Sequence, residues 1–425
     1  MLTIRTKENL NRFIKRLDRR STFQRKIEAT VRKILKEVLS KGDTSLVKYN
    51  ELFDKHTLPL KVNIEEIKES SKKVSKDVYD AINFAALRIR KFHEKQLESS
   101  WQYEEGDITL GQIIRPLERV GAYVPGGKAS YPSTVLMNII PAQVAGVREI
   151  AVCVPTPEGE LNPVVCAALD ILGIKEIYRV GGAQAVAAMA YGTETIKRVD
   201  KIVGPGNIFV ALAKRLVFGV VDIDMIAGPS EILIIADNSA IPSFVAADML
   251  SQAEHDEMAC SVLVTTSEKL ALSVKKEIVK QLRQLPKSSI AEKSLKKFGA
   301  IVIVNSISEA CEVANIIAPE HLEIMTEKPR EILPFIKNAG AIFLGQWTPE
   351  PIGDYVAGPN HTLPTTGTAR FFSPLGVYDF IKRSSLIEVG RDSFLKFASY
   401  VDLLANVEGL QAHANTIKIR KDFYE

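Results

Sequence analysis

Three successive units of strand, turn and helix constrain the fold of this chain more than any other feature. The apolar run REIAVCVP leads to the helical PVVCAALDILG, EIYRV leads through Gly181-Gly182 to AQAVAAMAYG, and VDKIVG leads through Pro205-Gly206-Asn207 to IFVALAKRLVFG. Apolar strands that alternate with helices pack side by side as a parallel sheet with helices on its faces. The pattern therefore predicts a Rossmann-like sheet.

The alternation resumes at Glu231 and predicts a second α/β sheet. Its strands are EILIIAD, GAIVIVNS, HLEIMT and GAIFLG, and Pro242 opens a helix that carries Gln252 and His255 on one face. Residues 1–100 have apolar residues at helical spacing, and the C-terminal residues also show a helical pattern. We therefore expect two parallel sheets with helical extensions at both ends.

Composition excludes several classes of protein. The chain has 425 residues, 46% of them hydrophobic, and a net charge of +4, which is too balanced to indicate nucleic-acid or membrane-surface binding. We find no apolar run of transmembrane length and no signal peptide in MLTIRTKENL. None of the four cysteines forms a CxxC pair, so neither a disulfide framework nor a thiolate zinc site is indicated. These features predict a cytoplasmic protein.

The chain has only six histidines, and four of them stand in unusual local surroundings. His56 and His93 stand in charged helical surroundings, which predicts surface positions. His321 follows Glu320 in IIAPEHLEIM, between a predicted helix and a predicted strand. An adjacent acid and imidazole can serve as general acid and base near neutral pH, or they can be solvated groups without a role.

A glycine- and proline-rich loop carries two further candidates. Asp354 and His361 lie in GDYVAGPNHTLPT, where a stiff backbone can hold polar side chains in place. The same composition is also typical of an ordinary surface loop. His413 lies near the C-terminus in EGLQAHANTIKIR, where an isolated histidine usually has no function.

Four of these polar residues could form a zinc site with two nitrogen and two oxygen ligands. Zinc binds histidine and aspartate readily, whereas a glutamine oxygen is an uncommon ligand. The candidates are far apart in the chain, so no local ligand spacing supports the site. They are Gln252, His255, Asp354 and His413.

The signals for phosphate binding are weak on their own. The chain lacks GxGxxG, but VGGAQAV and VGPGNIF place glycines before helix N-termini, where an anion such as pyrophosphate can bind. Tyr123 precedes Pro125-Gly126-Gly127 and could stack on a nucleotide. Glycines are also needed for the tight turns of any α/β sheet, so both readings stay open.

Taken together, the motifs resemble those of the histidinol dehydrogenase family. The matching segments, in chain order, are GAYVPGGKASYPSTVLM, VGGAQAVAA, VGPGNIFV, AGPSEILIIAD, SQAEHD, APEHLE, GDYVAGPNHTLPT and EGLQAHANTI. The resemblance implies that the NAD domain, which holds the Rossmann-like sheet described first, is inserted in the zinc and substrate domain. The implied limits are 1–122 with 230–374 for the zinc and substrate domain, 123–229 for the NAD domain, and 375–425 for a helical C-terminal segment.

The resemblance also implies a reaction. Members of this family oxidise L-histidinol to L-histidine through bound L-histidinaldehyde, in the final steps of histidine biosynthesis. They use one zinc ion per subunit and two molecules of NAD. The implied assembly is a homodimer in which the C-terminal segment of one subunit completes the active site of the other. No nucleic acid and no membrane is expected as a partner.

Individual roles carry over by position in the motifs. Glu320 and His321 would be the catalytic acid–base pair. The implied zinc ligands are Gln252, His255, Asp354 and His413. The implied substrate contacts are Ser230, Gln252, His255, His321, Asp354, His361, Glu408 and His413. The implied NAD contacts are Tyr123, Gln184 and Asn207.

Two other functions are compatible with the residues alone. A zinc hydrolase could use Glu320 and His321 on a metal-bound water, with dependence on metal but not on NAD. A non-catalytic protein with two α/β lobes could bind a small molecule without turnover. Neither alternative accounts for the ordered set of motifs.

Overall fold

The computed structural model describes residues 1–18, 20, 25–126, 131–286 and 288–423. The chain forms two compact units. Unit 1 comprises Met1–Gln96 and Leu117–Phe380, and unit 2 comprises Leu97–Pro116 and Ile381–Glu425. Within the described residues, no helix is long and apolar enough to cross a membrane.

Strands and helices alternate through most of unit 1, and the two units together contain the following elements. The strands are β1 (Leu2–Ile4), β2 (Trp101–Glu105), β3 (Ile108–Pro116), β4 (Arg119–Tyr123), β5 (Glu149–Val154), β6 (Glu176–Arg179), β7 (Lys201–Val203), β8 (Asp222–Ile223), β9 (Glu231–Ala236), β10 (Cys260–Thr265), β11 (Ala300–Ile303), β12 (His321–Met325), β13 (Ala341–Leu344) and β14 (Ile381–Val389). The helices are α1 (Lys7–Asp18), α2 (Arg25–Lys41), α3 (Asp43–Phe53), α4 (Ile64–Ser71), α5 (Lys76–His93), α6 (Pro132–Ala145), α7 (Pro163–Ile171), α8 (Gly182–Tyr191), α9 (Ile208–Val217), α10 (Pro242–Ala253), α11 (Glu268–Leu282), α12 (Ser288–Phe298), α13 (Ile307–Ile317), α14 (Pro329–Ile332), α15 (Glu350–Ile352), α16 (Arg391–Val407) and α17 (Gln411–Asp422).

Two parallel sheets organise unit 1. The first sheet has the strand order β1-β11-β10-β9-β12-β13, and the second has the order β6-β5-β4-β7-β8. In the first sheet, β10 and β11 follow β9 on one side, and β12 and β13 then lie on its other side. In the second sheet, β5 and β6 follow β4 on one side, and β7 and β8 then lie on its other side. The second sheet lies in sequence between β1 and β9. The predicted α/β fold with one Rossmann-like sheet inserted in another is confirmed.

The first sheet is buried on both faces. Leu233 and Ile235 of β9 share a core with α1 and α13, whereas Ile232 and Ile234 pack with α10, α11 and α12. Successive side chains of a strand point to opposite faces, so a strand covered on both sides has an uninterrupted apolar sequence. For this reason, β9 is apolar at every position from Ile232 to Ala236.

The second sheet is covered in the same way. Val152 and Val154 of β5 share a core with α4 to α7, and Ala151 and Cys153 share one with α2, α3, α8 and α9. The helices between residues 25 and 93 therefore pack on the second sheet, while β1 and α1 pack with the first. The domain limits at residues 122, 229 and 374 stay predictions.

Unit 2 contains an antiparallel sheet of order β14-β3-β2. A two-residue turn at Gly106-Asp107 connects β2 to β3, with Gly106 at φ +63°. The sequence predicts a helical C-terminal segment, whereas β14 precedes α16 and α17 there. The run IKRSSLIEV mixes apolar and polar residues and pairs with β3 along its whole length.

The predicted surface positions of His56 and His93 are wrong. His56 is 8% exposed and contacts Thr156 Oγ1 through Nε2 at 2.9 Å. His93 is 0% exposed and contacts the carbonyl of Ile89 through Nδ1 at 2.8 Å. The neighbours of both histidines in the sequence are charged, but the histidine side chains themselves point into the protein. The four cysteines are buried free thiols.

Gly204 fixes the close approach of β7 to β4 at the carboxyl edge of the second sheet. Its φ is +116°, and a Cβ atom added there would lie 2.1 Å from the carbonyl oxygen of Tyr123. An L residue rarely adopts this conformation, and the neighbour is backbone rather than a flexible side chain. Only glycine therefore allows the turn that leads to Asn207.

We predict that Gly204→Ala lowers the free energy of unfolding by more than about 3 kcal/mol, because backbone strain and a clash with the Tyr123 carbonyl add together. Gly173→Ala is the matched control. Gly173 also has a positive φ, +64°, but nothing lies within 4 Å of its added Cβ. Its substitution is expected to cost about 1 kcal/mol. Equal urea midpoints for Gly204→Ala and Gly173→Ala would show that the added Cβ does not clash with the Tyr123 carbonyl.

Candidate active site

Glu320 and His321 lie where α13 gives way to β12. Ala318, with φ +51°, ends the helix in the left-handed conformation, and His321 is the first residue of the strand. His321 pairs in register with Ile232 of β9. Glu320 is 7% exposed and His321 is 3% exposed. The fold thus buries both side chains at the amino-terminal edge of the first sheet.

The peptide groups of Glu231 hold both side chains. The Glu231 N–H donates to Glu320 Oε2 at 2.9 Å, and the Glu231 carbonyl lies 3.0 Å from His321 Nδ1. A carbonyl can only accept, so we place the proton of the neutral ring on Nδ1. Gln252 Nε2, 3.2 Å from Nδ1, then makes a polar contact rather than a hydrogen bond. His321 Nε2 is buried without a hydrogen-bond partner, 3.6 Å from Asp354 Oδ1, and is the basic nitrogen.

Gln252 and His255 do not share one helix, contrary to the prediction. Helix α10 ends at Ala253, and His255 lies in the following turn, where its N–H donates to the carbonyl of Gln252 at 3.3 Å. The helix ends here because the chain must reverse before β10 begins at Cys260. Gln252 is buried, 1% exposed, whereas His255 is exposed.

Asp354 and His361 belong to one locally bonded segment. Asp354 lies in a π-helical turn, Gly353–Ala357, and its carbonyl accepts from His361 Nδ1 at 3.1 Å. Burial lowers the pKa of His361 against the opposing charge of Asp354, and His255 lowers it further. His361 Nε2 lies 3.5 Å from Thr134 Oγ1 in the first turn of α6. This contact joins the loop to the helix that follows β4.

The charges around His321 set its protonation. Burial lowers the pKa of His321, but the carboxylates of Glu320 and Asp354 outweigh burial and raise it to about 10. Burial also raises the pKa of Glu320 to about 8, although His321 opposes the shift. For Asp354, burial is outweighed by His321, and the pKa falls to about 2. Strongly shifted groups concentrated in one place are typical of a catalytic centre.

Three further buried carboxyl groups surround this centre, and sequence analysis missed them. They are Asp248 of α10, Glu323 of β12 and Glu350 of α15. Glu323 Oε1 accepts from the N–H of Glu350 at 2.9 Å, and Glu350 Oε2 accepts from Ser251 Oγ at 3.2 Å. Burial raises the pKa of Asp248 to about 6, that of Glu350 to about 7, and that of Glu323 well above its usual value. The position of Glu323 within the largely apolar strand HLEIM is the sequence feature that could have indicated this cluster.

A cation could be held beside Asp354. Among the histidine, cysteine and carboxylate side chains of the described residues, ligand atoms of His321, Glu350 and Asp354 lie within 4.8 Å of one another. Gln252 Oε1 is also buried and has no hydrogen-bond partner. Of the zinc ligands implied by the resemblance, Gln252 and Asp354 therefore flank the His321 ring. The full set of Gln252, His255, Asp354 and His413 stays a prediction.

The remaining candidate substrate contacts fall in both units. Ser230 directly precedes β9 and is half-buried, and its backbone carbonyl accepts from the N–H of Cys260 at 2.9 Å. Glu408 follows the last residue of α16, and His413 lies in the first turn of α17. Both are exposed and belong to unit 2. Within unit 1, the fold gathers Ser230, Gln252, Glu320, His321, Asp354 and His361 around Glu231 and the loop after β13.

The three candidate NAD residues lie on the second sheet, where strands end and helices begin. Tyr123 ends β4, Gln184 lies in the first turn of α8, and Asn207 caps α9 by accepting from two backbone N–H groups at 3.0 and 3.2 Å. Tyr123 Oη accepts from the N–H of Gly182 at 3.1 Å. Burial raises the pKa of Tyr123 to about 12, so its hydroxyl stays neutral.

This carboxyl edge is a general binding position in α/β proteins. Strand β4 lies between β5 and β7, and the direction of chain progression reverses there. Ligands bind at such reversals because loops from the two sides diverge and helix N-termini point at the gap. The second glycine of the predicted Pro125-Gly126-Gly127 turn lies in residues 127–130, outside the described residues.

Comparison with known proteins gives consistent matches over nearly the whole chain. Residues 17–421 match the family model described as histidinol dehydrogenase. The histidinol dehydrogenase of Aquifex aeolicus is 56% identical over 403 residues, which cover 94% of each chain. That of Geobacter sulfurreducens is 52% identical over 401 residues, 93% of this chain and 94% of the relative. A crystal structure of histidinol dehydrogenase from Elizabethkingia anophelis has a TM-score of 0.94 at 37% identity, covering 100% of this chain and 99% of that chain.

The raised pKa of Glu323 predicts a pH dependence of stability. The native state retains the Glu323 proton above the ordinary pKa of a glutamate, so the free energy of unfolding falls as the pH rises. Glu323→Gln removes this contribution to the fall in the free energy of unfolding, because glutamine does not titrate. We expect a smaller fall for the variant between about pH 5 and pH 8, with slopes that differ by up to about 1.4 kcal/mol per pH unit.

Urea unfolding at a series of pH values measures the two slopes. Glu327→Gln, at an exposed position just beyond β12, is the control and should follow the unmodified protein. Parallel curves for Glu323→Gln and the unmodified protein would show that the carboxyl group titrates normally.

Proposed function

The chain belongs to the histidinol dehydrogenase family, as its motifs predict, and we propose that it oxidises L-histidinol to L-histidine with zinc and two molecules of NAD. It is an oxidoreductase of that family. The reaction would pass through bound L-histidinaldehyde and would complete histidine biosynthesis in the cytoplasm. The observation that carries the proposal is the buried pair of Glu320 and His321, with His321 Nε2 unpartnered beside Asp354.

In the alcohol oxidation, His321 would be the base. Its Nδ1–H is engaged by the Glu231 carbonyl, which directs the lone pair of the neutral ring to Nε2. His321 must first lose the proton that its raised pKa retains at neutral pH; Nε2 of the neutral ring would then take the hydroxyl proton of histidinol as the carbon-bound hydride leaves to the first NAD. This step converts the alcohol to the aldehyde and leaves the proton on the imidazole.

In the aldehyde oxidation, Glu320 would activate water. Once deprotonated, Glu320 would take one proton from water while the water oxygen bonds to the aldehyde carbon and the aldehyde oxygen takes the proton left on His321, which gives the hydrate and returns the imidazole to its neutral form. The hydrate would then lose a second hydride to the second NAD and a proton to His321, leaving the carboxylic acid. The Glu231 N–H holds Glu320 Oε2, so the other oxygen is the one available to water.

The residues of unit 1 fit a bound zinc ion. Asp354 is held as an anion by its strongly lowered pKa, and the buried oxygen of Gln252 lacks a hydrogen-bond partner. His255 lies in the turn directly after Gln252. Zinc would orient the substrate by binding its amine and imidazole nitrogens. We propose Gln252, His255, Asp354 and His413 as its ligands.

NAD would bind at the carboxyl edge of the second sheet. Asn207 caps the helix N-terminus there, and Tyr123 and Gln184 flank the same edge. The contact between Thr134 and His361 supports this placement, because it joins the helix after β4 to the loop that carries Asp354. The cofactor would then approach the substrate from the second sheet.

We propose a homodimer in which Glu408 and His413 of one subunit complete the site of the other. Unit 2 exposes several large apolar side chains, including Val407 at 77%, Ile387 at 70% and Tyr400 at 67%. Apolar surface of this kind is typical of a region that another subunit covers. Ser230 and His361 would supply the substrate contacts from the first subunit.

The yield of NADH tests the proposed function. Purified protein with zinc, excess NAD and limiting L-histidinol is expected to form about two NADH per histidinol consumed, because each oxidation releases one hydride. Protein treated with a chelator should form none until zinc is restored. Histidinol consumption without NADH formation would favour the zinc hydrolase, and binding without turnover would favour the non-catalytic protein.

Glu320→Gln separates the two oxidations. We expect the oxidation of supplied L-histidinaldehyde to slow by about 10²- to 10⁴-fold, the usual contribution of a general base, while the oxidation of histidinol to the aldehyde is affected less. Single-turnover NADH formation from each substrate measures the two steps. Glu327→Gln is the exposed control. Equal losses in both steps would refute this division of roles.

A further inference from the structure

Arg20 and Glu231 form an ion pair that is buried on both sides. Their side chains are 1% and 4% exposed, and the Arg20 guanidinium bonds to Glu231 Oε1. Removing two charges from water costs several kcal/mol per ion, and their mutual attraction often does no more than offset that cost. Stability alone is therefore a poor explanation for an ion pair in this position.

The guanidinium of Arg20 is fixed in several directions. Its Nη1 donates to the carbonyl of Met258 at 3.1 Å, and its Nε donates to the carbonyl of Leu17 at 3.4 Å. Its central carbon lies 5.5 Å from the centre of the Phe298 ring. A planar fork of donors that is held at this many points cannot move without breaking hydrogen bonds. Arg20 is thus a rigid anchor for the Glu231 carboxylate.

Glu231 lies where the pairing of β9 with β12 stops. On one side it pairs in register with Cys260 of β10. On the other side the pairing of β9 with β12 begins one residue later, at Ile232 and His321. The peptide N–H and carbonyl of Glu231 therefore bond to the side chains of Glu320 and His321 instead of to a strand. A shift of this one residue would move both catalytic groups.

We propose that Arg20 is a positioning residue, which acts through Glu231 to hold Glu320 and His321 in their reactive orientation. The proposal rests on the catalytic roles given above. Arg20 contacts neither catalytic side chain through the hydrogen bonds described, and its effect is transmitted by the Glu231 side chain to the Glu231 backbone. The chain thereby couples its N-terminal helical region to the reaction centre.

The first test compares Arg20→Met with Arg16→Met. Arg16 lies in α1, is exposed, and donates to the carbonyl of Lys297 at 3.2 Å, so its substitution changes the same chemistry without touching Glu231. With zinc and NAD saturating, Arg20→Met is expected to lower kcat for histidinol by about 10- to 100-fold, the usual effect of losing an outer-shell partner, with KM changed by less than about twofold. Arg16→Met should retain full kcat.

A double substitution separates the pathway from general destabilisation. If Arg20 acts through Glu231, then Arg20→Met combined with Glu231→Gln should be no slower than Arg20→Met alone, because the second change removes a charge that has already lost its partner. Additive losses of kcat would show that the two residues act independently and would contradict the proposal. Should Arg20→Met not fold, Arg20→Lys decides: an intermediate kcat is expected, and an unchanged kcat overturns the proposal.

A substrate-free measurement keeps this proposal distinct from the proposed function. The long-range ¹H–¹⁵N spectrum of the six histidines reports the proton on His321 Nδ1, and His321→Gln identifies that signal. We expect Arg20→Met to shift or lose the His321 signal and Arg16→Met to leave it unchanged. A His321 signal that is unchanged in Arg20→Met would overturn the inference. Absence of NADH in the unmodified protein would reject the proposed function while this spectrum still decides the role of Arg20.

Discussion

Burial of both faces of two parallel sheets is the constraint on which the rest of the structure depends. A sheet covered by helices on each side offers little polar surface, and the candidate catalytic and NAD residues lie at the ends of its strands. The two sheets use opposite ends. The candidate NAD residues lie at the carboxyl edge of the second sheet, whereas Glu320 and His321 lie at the amino edge of the first. The Thr134–His361 contact joins the helix that follows β4 to the loop whose Asp354 lies beside His321.

The buried carboxyl groups around His321 make this region electrostatically unusual. Asp354 interacts with Glu350, Glu350 with Glu323, and Glu323 with Asp248; only the pKa of Asp354 is lowered, whereas burial raises the pKa of the other three. Burying like charges is costly, and proteins retain them mainly where a cation or a proton is handled. The proposed metal ion beside Asp354 and the proposed proton exchange at His321 would account for this concentration of acid.

The sequence allowed the two sheets to be predicted and singled out Glu320-His321 as a candidate acid–base pair, because both depend on local patterns. Alternating strands and helices are recorded in the spacing of apolar residues, and Glu320-His321 stands in a recognisable motif. Gly106-Asp107, a dipeptide typical of two-residue hairpins, also indicates the turn between β2 and β3. The ion pair of Arg20 with Glu231 could not be predicted, since the partners are 211 residues apart and neither is unusual in its own segment. The burial of His93 likewise depends on tertiary packing.

The pairing of β1 with β11 has a consequence for the order of folding. It joins Leu2 to Ala300, so the first strand to leave the ribosome must wait for a partner made much later. The second sheet closes entirely within residues 119–223, and domains form as their contacts become available during synthesis. We therefore expect the inserted sheet to fold on the nascent chain first, with β1 held unpaired until the remainder of the first sheet emerges.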